Sequence, residues 1–360
     1  MKQARHSLYK WLDERLDLTE ILAFARKKTV PVHHHSFWYY WGGLSLFFFL
    51  VQALTGTLLL IYYRPGPEAY ESVRQITYEI DFGWLIRSIH SWAANLMIFA
   101  AMTHMFSVFF MKAYRKPREL GWWSGLGLLG LALFFGFSGY LLPMDELSYF
   151  ATKVGLEIPA LIPWVGPKAA ALLRGGVDVS AVTTQRFFAL HAAVLPALFV
   201  PLLAFHLWLV QKHGNAVPPS EELKPPEQRR SIPFFPDFAL KDLAMWLIAL
   251  NLLVLLAAMF PQGLGQPADP LAPAPQGIHP EWYFMSSFQT LKMFGKWFPG
   301  TAGEALGLIV FNLGLAIWAL IPLYDNKRAW GLRARIASYI GLAALALLVL
   351  TTVWGYLALD

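Results

Sequence analysis

Six uncharged apolar runs, at about 37–63, 122–142, 187–210, 243–260, 305–323 and 336–359, are each long enough to cross the roughly 30 Å hydrocarbon layer of a bilayer as a helix. A seventh, about 84–111, is equally apolar but carries Arg87, His90 and His104. The pattern predicts seven membrane-spanning helices. Before them, residues 1–36 are charged, with apolar positions such as Leu12, Leu16, Ile21 and Phe24 that suit a helix lying on the membrane surface, and no cleavable signal peptide is expected. Two Pro-rich polar breaks interrupt the spans, Lys212 to Phe238 and the stretch "PQGLGQPADPLAPAPQGIHPEWYF". The expected organisation is an interfacial segment (1–36), a four-helix bundle (37–211), a linker (212–237) and a three-helix unit (238–360). The fold class is an all-α integral membrane protein.

Composition agrees, with 56% hydrophobic and 14% charged residues. When the loops are sorted alternately to two sides, the N-terminal arm and the second, fourth and sixth loops hold about 20 of the 29 Lys and Arg. That side is expected to be cytoplasmic and Asp360 to face outward. The net charge of +6 is then a consequence of topology, and no nucleic-acid partner is expected. With no cysteine in the chain, disulfides, thiolate metal sites and thioether-attached haem c are excluded.

His90 and His104 are fourteen positions apart. On a helix that interval is about four turns and a rise of roughly 21 Å, so both share one face at different depths. His191 and His206, in the fourth span, are fifteen apart, roughly 60° off such a register. The second and fourth spans run in the same direction, which pairs His90 with His191 and His104 with His206. Two imidazoles from facing helices are the axial set of a six-coordinate haem iron, and here the set occurs twice, predicting two non-covalent haems b. The competing reading of any one such His is a hydrogen-bonded residue serving helix association. Gly42 and Gly56 in the first span, and Gly125 and Gly139 in the third, repeat the interval of fourteen. There the absent side chain would let a porphyrin edge approach the backbone, or would serve close helix packing. Arg87, one turn before His90, is suited to a haem propionate, or to snorkelling at the interface.

The motifs "RSIHSW", "KPREL", "SGYLLP", "FFALHAAVLP" and "HPEWYF" resemble, in order and over nearly the whole chain, the cytochrome b subunit of the quinol-oxidising Rieske/cytochrome b complexes. The fifteen-residue interval and seven spans are most similar to short cytochrome b joined to subunit IV in one polypeptide, with the junction near Lys212 to Phe238. The resemblance implies a quinol-oxidation site at Glu281 and Tyr283, flanked by Pro280 and Trp282, on the outer side, and an inner quinone site near Lys241 and Asp242. A partly desolvated carboxylate is also a competent base near neutral pH on chemical grounds alone, whereas the plain reading of Glu281 is a helix cap after proline.

The resemblance further implies a Rieske iron–sulfur protein, a c-type cytochrome or soluble acceptor, surrounding lipid, a homodimeric complex, and an energy-transducing membrane, that of a bacterial cell in the first instance. Two departures stand out: Tyr40 or a neighbour occupies the position where short-form relatives carry a haem-attaching cysteine, and Met144 follows the Pro of "GYLLP" where Trp is common. His33, His34, His35 and His213 lie near the inner surface, within reach of a propionate or quinone. The rival function is a di-haem anchor wiring a soluble dehydrogenase to the quinone pool. A transporter with histidine proton relays would bind no haem.

Overall fold

The computed structural model describes residues 2–275, 277–326 and 331–358. Met1 and Asp360, on which the sidedness was stated, lie outside the described residues, as do the side chains of Ile21 and Phe24. Among the described residues seven helices are long and apolar enough to span a membrane: Ser36–Leu60, Gly83–Phe110, Glu119–Tyr140, Ala181–His213, Phe234–Met259, Thr301–Tyr324 and Leu332–Leu357. They are called the first to seventh spans below. Helices are the expected form, because in hydrocarbon every backbone N–H and C=O must find its partner within the segment. Large apolar side chains such as Leu54, Ile248 and Leu350 stay exposed along them, as a lipid-facing surface requires.

The loops segregate to two ends. At one end the connections after the first, third and fifth spans are tied together: Tyr70 donates to the Gly265 carbonyl (2.9 Å), Tyr63 to Leu142 (2.9 Å), and Asp145 pairs with Pro267 in an isolated β-bridge. Short helices Ala69–Tyr78, Glu146–Ala160, Gly166–Arg174 and Trp282–Trp297 cover this end, called here the Glu281 end. At the other, the arm end, helices Lys2–Leu16 and Leu18–Lys27 lead into a strand, Thr29–Val32, that pairs antiparallel with Arg230–Pro233 of the fourth-to-fifth connection, Val30 opposite Ile232. The sequence pattern did not anticipate that pairing, which depends on two segments about 200 residues apart meeting in space.

The first four spans pack around Leu44, Phe48, Ala93, Met97, Ala132 and Phe199. Small side chains let helices approach closely. The last three spans join this bundle through aromatic stacking, Phe109 on Trp318 with ring centres 4.1 Å apart, and a side chain at Gly341 would collide with the Phe109 ring. Below this contact Asp325 is almost completely buried between Arg115 (2.8 Å), the Tyr114 hydroxyl (2.6 Å) and Lys112 (3.6 Å), whose ammonium also donates to the Ala334 carbonyl (3.2 Å).

The fourth span is not a uniform helix. Leu190–Val194 form one wide π-turn, in which the Leu195 N–H donates to the Leu190 carbonyl five residues back. Pro196 comes directly after and has no N–H to offer. A π-turn inserts one residue without displacing the rest of the helix, so it absorbs the fifteenth residue of the His191 to His206 interval. The 60° mismatch expected from regular geometry disappears.

Candidate functional site

Each of the four glycines lies against one of the four imidazoles. A Cβ at Gly56 would stand 3.2 Å from Cε1 of His90, at Gly139 2.8 Å from that of His191, at Gly42 3.1 Å from that of His104, and at Gly125 3.3 Å from that of His206. The absent side chains therefore leave the imidazoles their place. His90 and His191 face one another with ring centres 6.3 Å apart, planes inclined at 69°. His104 lies within electrostatic reach of His206.

Three of the rings are held from behind. Nδ1 of His90 meets the Thr55 hydroxyl at 2.9 Å, that of His206 the Ser124 hydroxyl at 2.9 Å, and that of His191 the Ser138 hydroxyl at 3.1 Å. Each hydroxyl donates its one proton to a carbonyl of its own helix: Thr55 to Val51 (2.7 Å), Ser124 to Gly121 (3.1 Å) and Ser138 to Phe135 (3.2 Å). The imidazole must then be the donor, with its proton on Nδ1 and the lone pair on Nε2 free for a metal. His104 differs: its Nδ1 is buried with no partner. Sequence reasoning missed these hydroxyls, although Thr55, Ser124 and Ser138 each stand immediately before a glycine of the fourteen-residue pattern.

The arrangement fits haem. Two histidine–metal bonds of about 2 Å each, plus about 1 Å from each nitrogen to its ring centre, separate two axial imidazoles by roughly 6 Å, and 6.3 Å is found at the His90 pair. Among the described residues no group of three or more His, Asp or Glu is placed to hold a bare metal ion, so further ligands would come from a macrocycle. Arg87 donates to the Gln262 and Gly263 carbonyls, both at 2.9 Å, and to the Thr77 hydroxyl at 3.2 Å. In this structure it pins the start of the fifth-to-sixth loop over the bundle.

Glu281, Pro280 and Tyr283 line a cavity of about 340 Å³ shared with Tyr140 and Thr152. That is the low end of the range for small-molecule sites, enough for a ring headgroup. Glu281 occupies the position before helix Trp282–Trp297, but its side chain makes no capping bond. Asp145, at the matching position of Glu146–Ala160, accepts the Ser148 N–H at 3.0 Å. The reading of Glu281 as a plain cap is not what the structure has. Burial raises its pKa above the ordinary glutamate value, and nearby His279 partly offsets the rise. A Cβ at Gly136 would come within 2.5 Å of the Tyr283 hydroxyl, so the glycine leaves that phenol its place. Trp282 turns away to donate to Asn95 Oδ1 (2.8 Å), fixing the helix to the second span. Thr152, which the sequence did not single out, has a buried hydroxyl without a partner at the cavity wall. Met144 does not line the cavity and sits instead in the apolar cluster beneath the cap helices.

At the arm end Asp242 faces the first span. A Cβ at Gly43 would meet its carboxylate at 2.5 Å, and its Oδ1 is buried without a partner. The Trp246 indole, one turn further along the same helix, is likewise buried and unpaired. Lys241 points outward and is exposed. Tyr40, at the position of interest for covalent haem, stacks on Phe238 at 5.0 Å. His33 is engaged by the Tyr39 hydroxyl (2.7 Å) and His213 offers its carbonyl to Arg118 (3.1 Å), while His34 stacks edge-on to His35.

Residues 95–267 match the family model described as Cytochrome b(N-terminal)/b6/petB, and residues 267–358 the one described as Cytochrome b(C-terminal)/b6/petD. The chain is 47% identical over 354 residues to a cytochrome bc complex cytochrome b subunit of Chlorobaculum thiosulfatiphilum, covering 97% of this chain and 80% of that one. It is 42% identical to the cytochrome b6 of Stigeoclonium helveticum over 59% of its length and 98% of the relative's. A solved structure titled "Hyperthermophilic respiratory Complex III" superposes with a TM-score of 0.82 at 29% identity, over 95% of this chain and 91% of that one. The apolar architecture and paired histidines define an integral membrane electron-transfer protein. The chain belongs to the cytochrome b family. It is the cytochrome b of a bc-type or b6f-type complex, an oxidoreductase subunit of an energy-transducing membrane, and its family implies b-type haem and partner subunits.

Proposed function

We propose that the chain is the di-haem subunit of a quinol–cytochrome c reductase or its equivalent. In this reading quinol is oxidised in the Glu281 cavity, one electron leaves to a Rieske iron–sulfur protein, and the other crosses to an inner quinone site near Asp242. Two haems b, non-covalently held by His90 with His191 and by His104 with His206, would supply one-electron carriers at two depths. The observation that carries the reading is the matched histidine set, with three of its four rings held through Nδ1 so that Nε2 keeps its lone pair.

The chain's own residues do the proton chemistry. Quinol gives up two protons with its two electrons, and a carboxylate of raised pKa in a largely apolar cavity is suited to accept one at its oxygen. Tyr283 and Thr152 supply hydroxyls that can orient a quinol ring, and Pro280 with the surrounding apolar wall excludes water. Asp242 delivers protons at the arm end. We take that end as cytoplasmic, since basic residues concentrate there, and we take residues 37–211 and 238–360 as the haem-binding and subunit IV-like units. The Rieske cluster and any haem c belong to partners, because this chain has no cysteine. A homodimeric assembly in a bacterial inner membrane completes the proposal.

The test is a redox titration of the purified complex in the visible region, with a pyridine haemochrome count. Two extractable haems b per chain are expected. One haem, or haem resistant to acid–acetone extraction, would overturn the assignment.

A further inference from the structure

Of the four imidazoles only His104 has no hydrogen-bond partner at Nδ1. The other three use a hydroxyl from the residue just before the facing glycine, and at the fourth such position stands Trp41. We infer that Thr55, Ser138 and Ser124 are positioning residues that each lower the electron affinity of the haem site their histidine serves, and that Trp41 leaves His104 without this tuning.

The inference rests on the haem assignment above. A hydrogen bond from Nδ1–H to an oxygen draws the proton away from the ring and makes Nε2 a more basic ligand. A more basic axial ligand favours the oxidised metal and lowers the reduction potential. At the Glu281 end both ligands have this support, from Thr55 and Ser138. At the arm end only His206 has it, from Ser124. Desolvation sharpens the difference, because a buried donor has no water to substitute for the missing acceptor. The asymmetry is written into four residue positions, with no moving part.

The experiment is an equilibrium redox titration of each haem, followed by visible absorbance in the intact purified complex. Thr55→Val and Ser138→Ala should each raise the potential of the Glu281-end haem alone. Ser124→Ala should raise that of the arm-end haem alone, and Trp41→Thr should lower it. Each loss of one hydrogen bond should change the oxidised-to-reduced ratio at fixed potential by roughly three- to tenfold, tenfold being about 59 mV for one electron. Thr55→Ser and Ser124→Thr keep the hydroxyl and should keep the potential, even if the apolar variants load haem poorly. Unchanged midpoints in the three apolar variants, both haems shifting together, or a shift in the hydroxyl-retaining variants would overturn the inference while leaving the haem assignment standing. A wild-type complex with fewer than two haems would instead overturn the assignment itself.

Discussion

The two ends of the bundle treat buried polar groups in opposite ways. At the arm end Asp325 is enclosed by Arg115, Lys112 and Tyr114, two cations and a hydroxyl gathered on one carboxylate across the junction between the bundle and the last spans. At the Glu281 end a carboxylate is buried beside two tyrosines with no hydrogen bond to its own helix. Burying a charge without a partner is costly, so the first arrangement holds the fold together, whereas the second leaves Glu281 with a raised pKa. Within the arm end itself the contrast recurs on a smaller scale, since Asp242 Oδ1 and the Trp246 indole, against the first span, are buried without a partner.

The largest effect that would break this comparison is removal of a ring from one level only. His90→Leu should abolish the haem at the Glu281 end and with it nearly all turnover, while the arm-end haem stays spectroscopically intact. Loss of both together would mean that the two levels are one structural unit. Asp325→Ala should come next, because it leaves two buried cations uncompensated at a cost of about 3–5 kcal/mol. A thermal unfolding scan in detergent would register it, and an unaltered midpoint would show that the cluster is not what locks the last spans to the bundle.

Glu281→Gln keeps the volume and removes the base. Turnover should fall by roughly ten- to a thousandfold with both haem spectra unchanged. The same site has a pH signature. Burial keeps Glu281 protonated to a higher pH than a free glutamate, so its base form, and quinol oxidation with it, should increase as pH rises through the shifted value. In the Gln variant that rising limb should vanish from the pH–rate profile; its persistence would assign the titration to another group. The smallest expected change is at Asp242→Asn, which should slow quinone reduction at the arm end by about tenfold or less while the outer reaction, measured with the arm-end site inhibited, keeps its rate.

Much of this was legible in the chain. The seven spans were, because the runs are long and apolar enough to cross a bilayer as helices, and their ends fell within a few residues of the expected positions except at the fourth and fifth, where the helices begin earlier, at Ala181 and Phe234, inside more polar stretches. The pairing of His90 with His191 was legible too, because helical periodicity converts sequence intervals into depth and face. The interval of the glycines showed that four gaps match four histidines, and the structure adds that each glycine lies against an imidazole.

The sequence by itself thus determined what is local and periodic: the class of fold, the order of the spans, the histidine levels and the absence of any cysteine ligand. Tertiary structure decided what depends on approach between distant segments. The π-turn ahead of Pro196 brings an interval of fifteen into register. Hydroxyls on the first and third spans reach rings on the second and fourth, and none reaches His104. Thr and Ser are common in membrane helices, and the place of these three just before a patterned glycine marks them without telling that each will meet an imidazole. Likewise Glu281 reads as a cap from its place before a helix, and only the packing around it buries a carboxylate that makes no bond to that helix. Local periodicity fixes direction and depth, whereas a hydrogen bond or a raised pKa is a matter of a few tenths of an ångström between helices that only packing sets.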